Sequence, residues 1–108
     1  MVPVSVVQYQ TAEGRSPVAD WMGGLPYRPA RARIVKRIDR LRLGLRGDWR
    51  PVGGRVFELR IDHGPGYRIY AAQVGITVIL LLCAGDKRTQ QRDVEIAHAY
   101  WKDYQGRR

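Results

Sequence analysis

The sequence predicts an α+β domain in which a helical hairpin packs on an antiparallel sheet of four to five strands, followed by a C-terminal helix. The first observation is that residues 56–87 have the pattern of three consecutive strands joined by tight turns. The second is an apolar stripe of helical period in residues 28–45. The third is a similar stripe in residues 90–104. A chain of 108 residues supports a single domain, residues 1–108, with one core.

The first part of the chain predicts one strand and two helices. Residues 4–9 are short and β-branched, which is typical of a strand. The pair Ser16-Pro17 predicts a helix start, because serine is a favoured N-cap and proline is tolerated at the first helical position. The glycine pair 23–24 ends this short helix. The longer helix is predicted for residues 28–45, and Gly44 and Gly47 mark its C-terminal end.

The sheet is predicted from alternation of apolar and polar residues. Residues 56–62 and 67–74 each alternate, and a turn rich in glycine separates them. We expect Phe57, Leu59 and Ile61 to pack under the helices. Residues 76–83 are apolar on both faces, as in a central strand, and residues 49–52 supply a short edge strand. The opposite sheet face then holds Glu58, Arg60, Arg68 and Tyr70.

The charge of the chain indicates a polyanionic partner. Nineteen Lys and Arg residues face ten Asp and Glu residues, for a net charge of +9. Nine of the basic residues and only two acids lie in residues 28–50, which carry +7. This excess is too large for a helix face balanced by salt bridges, so the helix either contacts a ligand or partner or presents a solvated basic surface. Lys36, Arg37 and Arg40 are the candidate RNA-binding residues of this helix.

Several classes of protein are excluded or disfavoured. The single cysteine, Cys83, rules out an intrachain disulfide and lies in an apolar run, as a buried residue would. His63 and His98 are isolated, so no zinc site is expected, and no phosphate-cradling glycine loop is present. The N-terminus lacks a signal-peptide pattern, and the longest apolar run is too short to cross a membrane. We therefore expect a soluble, cytoplasmic protein without metal or cofactor.

Arginines on a strand face suit phosphate binding. Arg60 and Arg68 lie on neighbouring strands, and Lys87 and Arg88 follow the next strand. A strand holds its side chains rigidly, and guanidinium groups bind phosphate oxygens in pairs. Tyr70 lies among these residues, where a nucleobase would stack on its ring.

Cleavage of an RNA backbone also needs a base for the 2′-hydroxyl and an acid for the leaving oxygen. Glu58 is the candidate base, and Lys87, His63 and Asp93 are candidate partners in proton transfer. The alternative is that Glu58 only forms cross-strand ion pairs with the neighbouring arginines.

Three segments together resemble a known family: ELRI, GPGYRIY and ITVILLLCAGDKRTQQRD. They resemble the RelE/ParE superfamily of toxins from bacterial type II toxin–antitoxin systems, and more narrowly its HigB-like branch of phage-derived addiction-module killer proteins. The resemblance covers most of the chain. It implies a RelE-like fold, a twisted antiparallel sheet backed by the helical hairpin. It also implies a ribosome-dependent endoribonuclease that cleaves mRNA without a metal, leaving a 2′,3′-cyclic phosphate or a 3′-phosphate, and so inhibits translation and growth.

The resemblance assigns roles to individual residues. Arg60 matches a basic strand position, Arg68 the arginine of Gly-Tyr-Arg, and Arg88 the basic residue after the strand exit. Glu58 stands where the RelE type has a lysine. The tyrosine that the RelE type carries early in its last helix would fall near Val94 and is absent from this sequence. HigB-like relatives also lack the RelE arrangement. On this basis the catalytic set is Glu58, Arg60, Arg68, Lys87 and Arg88, and we expect Arg68→Ala to abolish growth arrest without affecting the fold.

Two other functions stay open. The ParE branch shares the fold but poisons DNA gyrase, and a non-catalytic, basic nucleic-acid-binding regulator would also explain the charged helix. For the toxin, the resemblance implies a cognate antitoxin, usually a helix-turn-helix protein, in a hetero-oligomeric complex. The ribosome and mRNA are its other expected partners, and no membrane is involved.

Overall fold

A computed structural model describes residues 3–107 and shows an α+β fold with a five-stranded mixed sheet and a C-terminal helix. A 3₁₀ turn, Lys87–Thr89, precedes the last helix. The strands are β1 (Ser5–Gln8), β2 (Trp49–Pro51), β3 (Val56–Ile61), β4 (Tyr67–Val74) and β5 (Val78–Asp86), and the helices are α1 (Pro17–Gly23), α2 (Arg28–Arg42) and α3 (Gln90–Gly106).

The strand order in the sheet is β1-β5-β4-β3-β2. The strands β2 to β5 form an antiparallel meander, which the sequence predicted. The prediction of a wholly antiparallel sheet is wrong at one edge, because β1 runs parallel to β5 and pairs Ser5 with Val78 and Gln8 with Leu81. The chain leaves this edge, forms α1 and α2, and re-enters the sheet at the opposite edge as β2. The predicted edge strand at residues 49–52 is confirmed as β2.

The helix α2 ends three residues earlier than predicted. Gly44 adopts a positive φ of 84°, and its N–H donates to the carbonyl of Leu41. The N–H of Leu45 donates to the carbonyl of Arg40. These two bonds form a Schellman motif, which satisfies the last carbonyls of the helix and turns the chain toward β2.

Helices cover both faces of the sheet. On one face the hairpin of α1 and α2 packs on β3, β4 and β5, as predicted for Phe57, Leu59 and Ile61. The other face is covered by α3, through Ala97 and Trp101. This second core contains Tyr9, Val56, Tyr70, Ala72, Leu80, Leu82, Cys83, Ala97 and Trp101.

A β-bulge in β5 shapes the second core. Tyr70 pairs with Cys83 while the next residue, Ala71, pairs with Leu81, so Leu82 is the extra residue of β5. Leu82 and Cys83 therefore both contribute to the core under α3. Beyond the bulge, β5 continues to Asp86, three residues past its predicted end. Among residues 3–107, no helix has the length and apolar character needed to cross a membrane.

Candidate phosphate-binding site

A buried polar cluster lies where the first turn of α3 crosses β3 and β4. The carboxylate of Glu58 is fully buried and forms an ion pair with the guanidinium of Arg68 on the neighbouring strand. The side-chain amide of Gln90 donates to the same carboxylate at 3.1 and 3.4 Å. Arg60 lies at the limit of an ion pair, with Nε 4.0 Å from Glu58. Glu58 thus fixes the position of Arg68.

Arg68 forms part of the wall of an open cleft. Arg68 is only 9% exposed, and within residues 3–107 its buried Nη1 has no hydrogen-bond partner. Arg68 lines a cleft of about 330 Å³, which we call the small cleft, together with Arg60 and Lys87. Two carboxylates, Asp48 and Asp62, also line it. A buried guanidinium with an unpaired N–H group is unfavourable without an acceptor, so this position favours an anion.

A second cleft, the basic groove, runs along α2 and has a volume of about 810 Å³. Arg33, Lys36, Arg37, Arg40 and Arg60 line it against a single carboxylate, Asp62, for a formal net charge of +4. The small cleft, with three basic groups and two carboxylates, carries only +1. The two clefts share Arg60, Ile61 and Asp62 at the end of β3. The groove therefore suits a polyanion, and the small cleft combines cations with groups able to accept a proton.

Arg37 connects the groove to the strands. Its Nε donates to the carbonyl of Arg60 at 3.2 Å, and its Nη2 donates to the carbonyl of Asp48 at 2.9 Å. Burial lowers the pKa of Arg37 from its ordinary value. Of the three predicted RNA-binding residues of α2, Lys36 and Arg40 are exposed in the groove, whereas the half-buried Arg37 holds two backbone segments in place.

The structure does not leave Tyr70 available for base stacking. Its side chain is fully buried under α3, and burial, reinforced by the charges of Glu58 and Asp93, raises the pKa of its hydroxyl above the usual range. The sequence prediction was wrong because it treated this sheet face as open to solvent, whereas α3 covers it.

The predicted proton-transfer roles of Glu58 and Asp93 also conflict with their burial. The Glu58 carboxylate is enclosed by Arg68 and Gln90, so no substrate hydroxyl reaches it. Asp93 is 6% exposed and accepts a hydrogen bond of 2.5 Å from the hydroxyl of Thr89. Glu58 therefore matches the alternative of a cross-strand ion pair, and both carboxylates serve to position other groups.

Two other predicted residues lie outside the clefts. The guanidinium of Arg88 is exposed and paired with Asp86 at 2.9 Å, and it lines neither cleft. This hydrogen bond lowers the pKa of the Asp86 carboxyl. The ring of His63 stacks on that of Tyr27 and also lines neither cleft. The structure thus brings together Arg60, Arg68 and Lys87 from the predicted catalytic set.

Asp48, Asp62 and Arg33 also line the clefts, although they were not predicted as site residues from the sequence. Asp62 directly follows β3, two residues after Arg60, and this spacing places both side chains near the same strand end. That signal was present in the sequence. Asp48 precedes the short β2, and only the pairing of β2 with β3 brings it to the site.

No family model matches the sequence. The chain is 44% identical over 77 residues to an uncharacterized protein of Haemophilus influenzae. The aligned region covers 71% of this chain and 78% of that protein.

Proposed function

We propose that this chain, which belongs to the same family as the Haemophilus influenzae protein, is the toxin of a type II toxin–antitoxin system. The proposed activity is that of a RelE/ParE superfamily toxin of the HigB-like branch: metal-independent, ribosome-dependent cleavage of mRNA. The order of elements supports this proposal, with a helical hairpin on one face of a meander and a helix after it. The segments ELRI and GPGYRIY fall on β3 and on the turn and first half of β4, as the resemblance implies.

The observation that carries the proposal is the junction of the two clefts at Arg60 and Asp62. A nucleic-acid strand bound along the basic groove has its phosphates held by exposed cations of α2, such as Lys36 and Arg40. Where the strand passes the junction, one phosphate reaches the small cleft, whose wall includes Arg68.

The small cleft supplies the groups for backbone cleavage. Asp62 accepts the proton of the 2′-hydroxyl while the 2′-oxygen forms a bond to phosphorus. Arg60 and Arg68 stabilise the extra negative charge on the phosphoryl oxygens. The bond from phosphorus to the 5′-oxygen breaks, and Lys87 protonates the leaving oxygen. The products are a 2′,3′-cyclic phosphate and a free 5′-hydroxyl, and the reaction requires no metal.

Glu58 and Gln90 act on this chemistry only through Arg68. The ion pair with Glu58 fixes one edge of the guanidinium, and Gln90 fixes the orientation of the Glu58 carboxylate. Arg68 is therefore held in one arrangement at the wall of the cleft, which reduces the ordering needed when the phosphate binds.

Induced expression followed by primer extension on a translated mRNA tests the proposal. We expect rapid growth arrest and cuts within the translated region, which disappear when an antibiotic removes ribosomes from the message. The Asp62→Asn variant keeps the shape of the cleft but removes the proton acceptor, so it causes neither arrest nor cuts.

Other outcomes would replace the proposal. Growth arrest with uncut mRNA, double-strand DNA breaks and an SOS response would identify a gyrase poison of the ParE type. Expression without arrest and without cleavage would favour a nucleic-acid-binding regulator. The toxin proposal includes a cognate antitoxin, for which a helix-turn-helix protein encoded beside this gene is the expected partner, and co-expression of that protein should restore growth.

A further inference from the structure

An aromatic pair lies beside the junction of the two clefts. The rings of Tyr27 and His63 stack with centroids 6.1 Å apart and planes inclined by 14°. Tyr27 is the N-cap residue of α2, two positions before Pro29 of the basic groove. His63 lies between Asp62, which lines both clefts, and Gly64, which lines the small cleft. The pair therefore connects the start of α2 to the turn after β3.

The side chain of Tyr27 is well exposed to solvent. Its residue surface is 58% exposed, whereas the aromatic rings of Tyr9 and Tyr70 are buried. Within residues 3–107, Tyr27 makes no side-chain hydrogen bond that caps α2. The stack with His63 orders the ring without covering it, and an ordered, exposed aromatic face loses little entropy when a planar ligand binds.

We propose that the Tyr27–His63 pair is the base-stacking site of this protein and binds an unpaired nucleobase of the RNA strand held in the basic groove. This inference rests on the proposed function, and it replaces Tyr70, which is buried, as the residue that contacts a base. The groove supplies contacts to phosphates, which carry no information about the bases. The pair adds a contact to the base itself and favours single-stranded over duplex RNA, because both faces of a base within a duplex are stacked on its neighbours.

The charge beside the pair supports a nucleic acid over an apolar peptide as the ligand. The neighbouring groove carries a formal net charge of +4, and Arg28 follows Tyr27 directly. A basic groove combined with aromatic side chains is the usual arrangement for binding a single strand, in which bases stack and phosphates pair with cations.

The test compares two oligomers of equal length by fluorescence anisotropy at low ionic strength. One is a single-stranded RNA, and the other is the same ribose-phosphate chain without bases. The proposed cleavage needs the ribosome, so free RNA stays intact during the titration. The proteins are the full-length wild type and the variants Tyr27→Leu, Tyr27→Phe, Trp49→Leu and Lys36→Glu.

We expect Tyr27→Leu to weaken binding of the RNA about tenfold and to leave binding of the abasic oligomer unchanged. Tyr27→Phe keeps the ring and should bind both oligomers as the wild type does. Trp49→Leu is the matched control, since Trp49 is an exposed aromatic residue that lines neither cleft, and it should change neither affinity. Lys36→Glu should weaken the binding of both oligomers equally, because it removes a phosphate contact.

Each contrary result has a distinct meaning. If Tyr27→Leu loses affinity for both oligomers equally, base stacking by this residue is overturned. Unchanged RNA binding in Tyr27→Leu, with weaker binding in Lys36→Glu, would overturn the inference and leave the proposed function standing. If Tyr27→Leu leaves both affinities intact but releases the co-expressed antitoxin, the pair belongs to a protein interface. If the wild type binds neither oligomer, the inference and the RNA-binding part of the proposed function fail together.

Discussion

Replacing Arg68 with alanine should lower the stability of the fold severely, because it leaves a buried carboxylate without its counter-ion. Glu58 is fully buried, and its remaining partners are the amide of Gln90 and the more distant Arg60. Removing one member of a buried ion pair costs about 3–5 kcal/mol. The partners that remain favour the lower end, about 3 kcal/mol, out of a total stability of about 5–15 kcal/mol. The sequence-based expectation that Arg68→Ala leaves the fold intact is therefore revised.

The double variant Glu58→Leu/Arg68→Met separates pairing from burial. Replacing a buried ion pair with apolar groups of similar volume is often neutral, so the double variant should regain most of the stability that either single change removes. The matched control is Arg42→Ala, which breaks an exposed pair with Asp39 at 2.7 Å. An exposed ion pair contributes less than about 1 kcal/mol, so the free energy of unfolding of the control should be close to that of the wild type.

Urea unfolding followed by circular dichroism measures the free energies of unfolding of the wild type, Glu58→Leu, Arg68→Met and the double variant, which form a double-mutant cycle. We expect a coupling energy between Glu58 and Arg68 of about 2–3 kcal/mol. A coupling energy below about 0.5 kcal/mol, or single variants as stable as Arg42→Ala, would refute the claim that Glu58 holds Arg68 in a buried pair.

Three further predictions concern the cover of the sheet by α3. A Cβ atom at Gly85 would overlap the carboxylate of Asp93, so Gly85→Ala should cost about 1–3 kcal/mol in a thermal or urea melt. An unchanged melt would contradict this close approach. Burial raises the pKa of the Cys83 thiol to about 12, so a disulfide reagent at pH 8 should react only as fast as α3 opens, whereas rapid native-state labelling would show that α3 leaves the thiol exposed. Burial and a hydrogen bond to Asp103 raise the pKa of Tyr9 from 10.0 to about 12. This contribution to stability is complete below pH 10 and is lost as the pH rises to about 12, a decline that Tyr9→Phe should not show.

Local patterns in the sequence predicted most of the fold. The alternation in β3 and β4 and the apolar stripe of α2 each depend on neighbours a few positions apart, which a sequence displays directly. The pairing of β1 with β5 joins residues more than seventy positions apart, and no local pattern determines whether that pairing is parallel. The bulge at Leu82 was likewise hidden, because β5 is apolar on both faces and a shift of one residue leaves its pattern unchanged.

The candidate site was predicted less completely than the fold, for one physical reason. The parity of β3 and β4 placed Glu58, Arg68 and Tyr70 on one face correctly, but it did not show that α3 covers that face. A signal was available, since Val56 and Tyr70 are apolar on the same face and require a cover. A covered face of this kind predicts that Glu58 is buried in an ion pair.

Cleavage of mRNA by the purified chain on programmed ribosomes tests the central claim most directly. We expect cuts in the A-site codon that leave a 2′,3′-cyclic phosphate, and we expect Asp62→Asn to retain binding to the ribosome but to make no cuts. Intact mRNA with the wild-type chain, or full cleavage by Asp62→Asn, would contradict the assignment of the small cleft as the site of RNA cleavage.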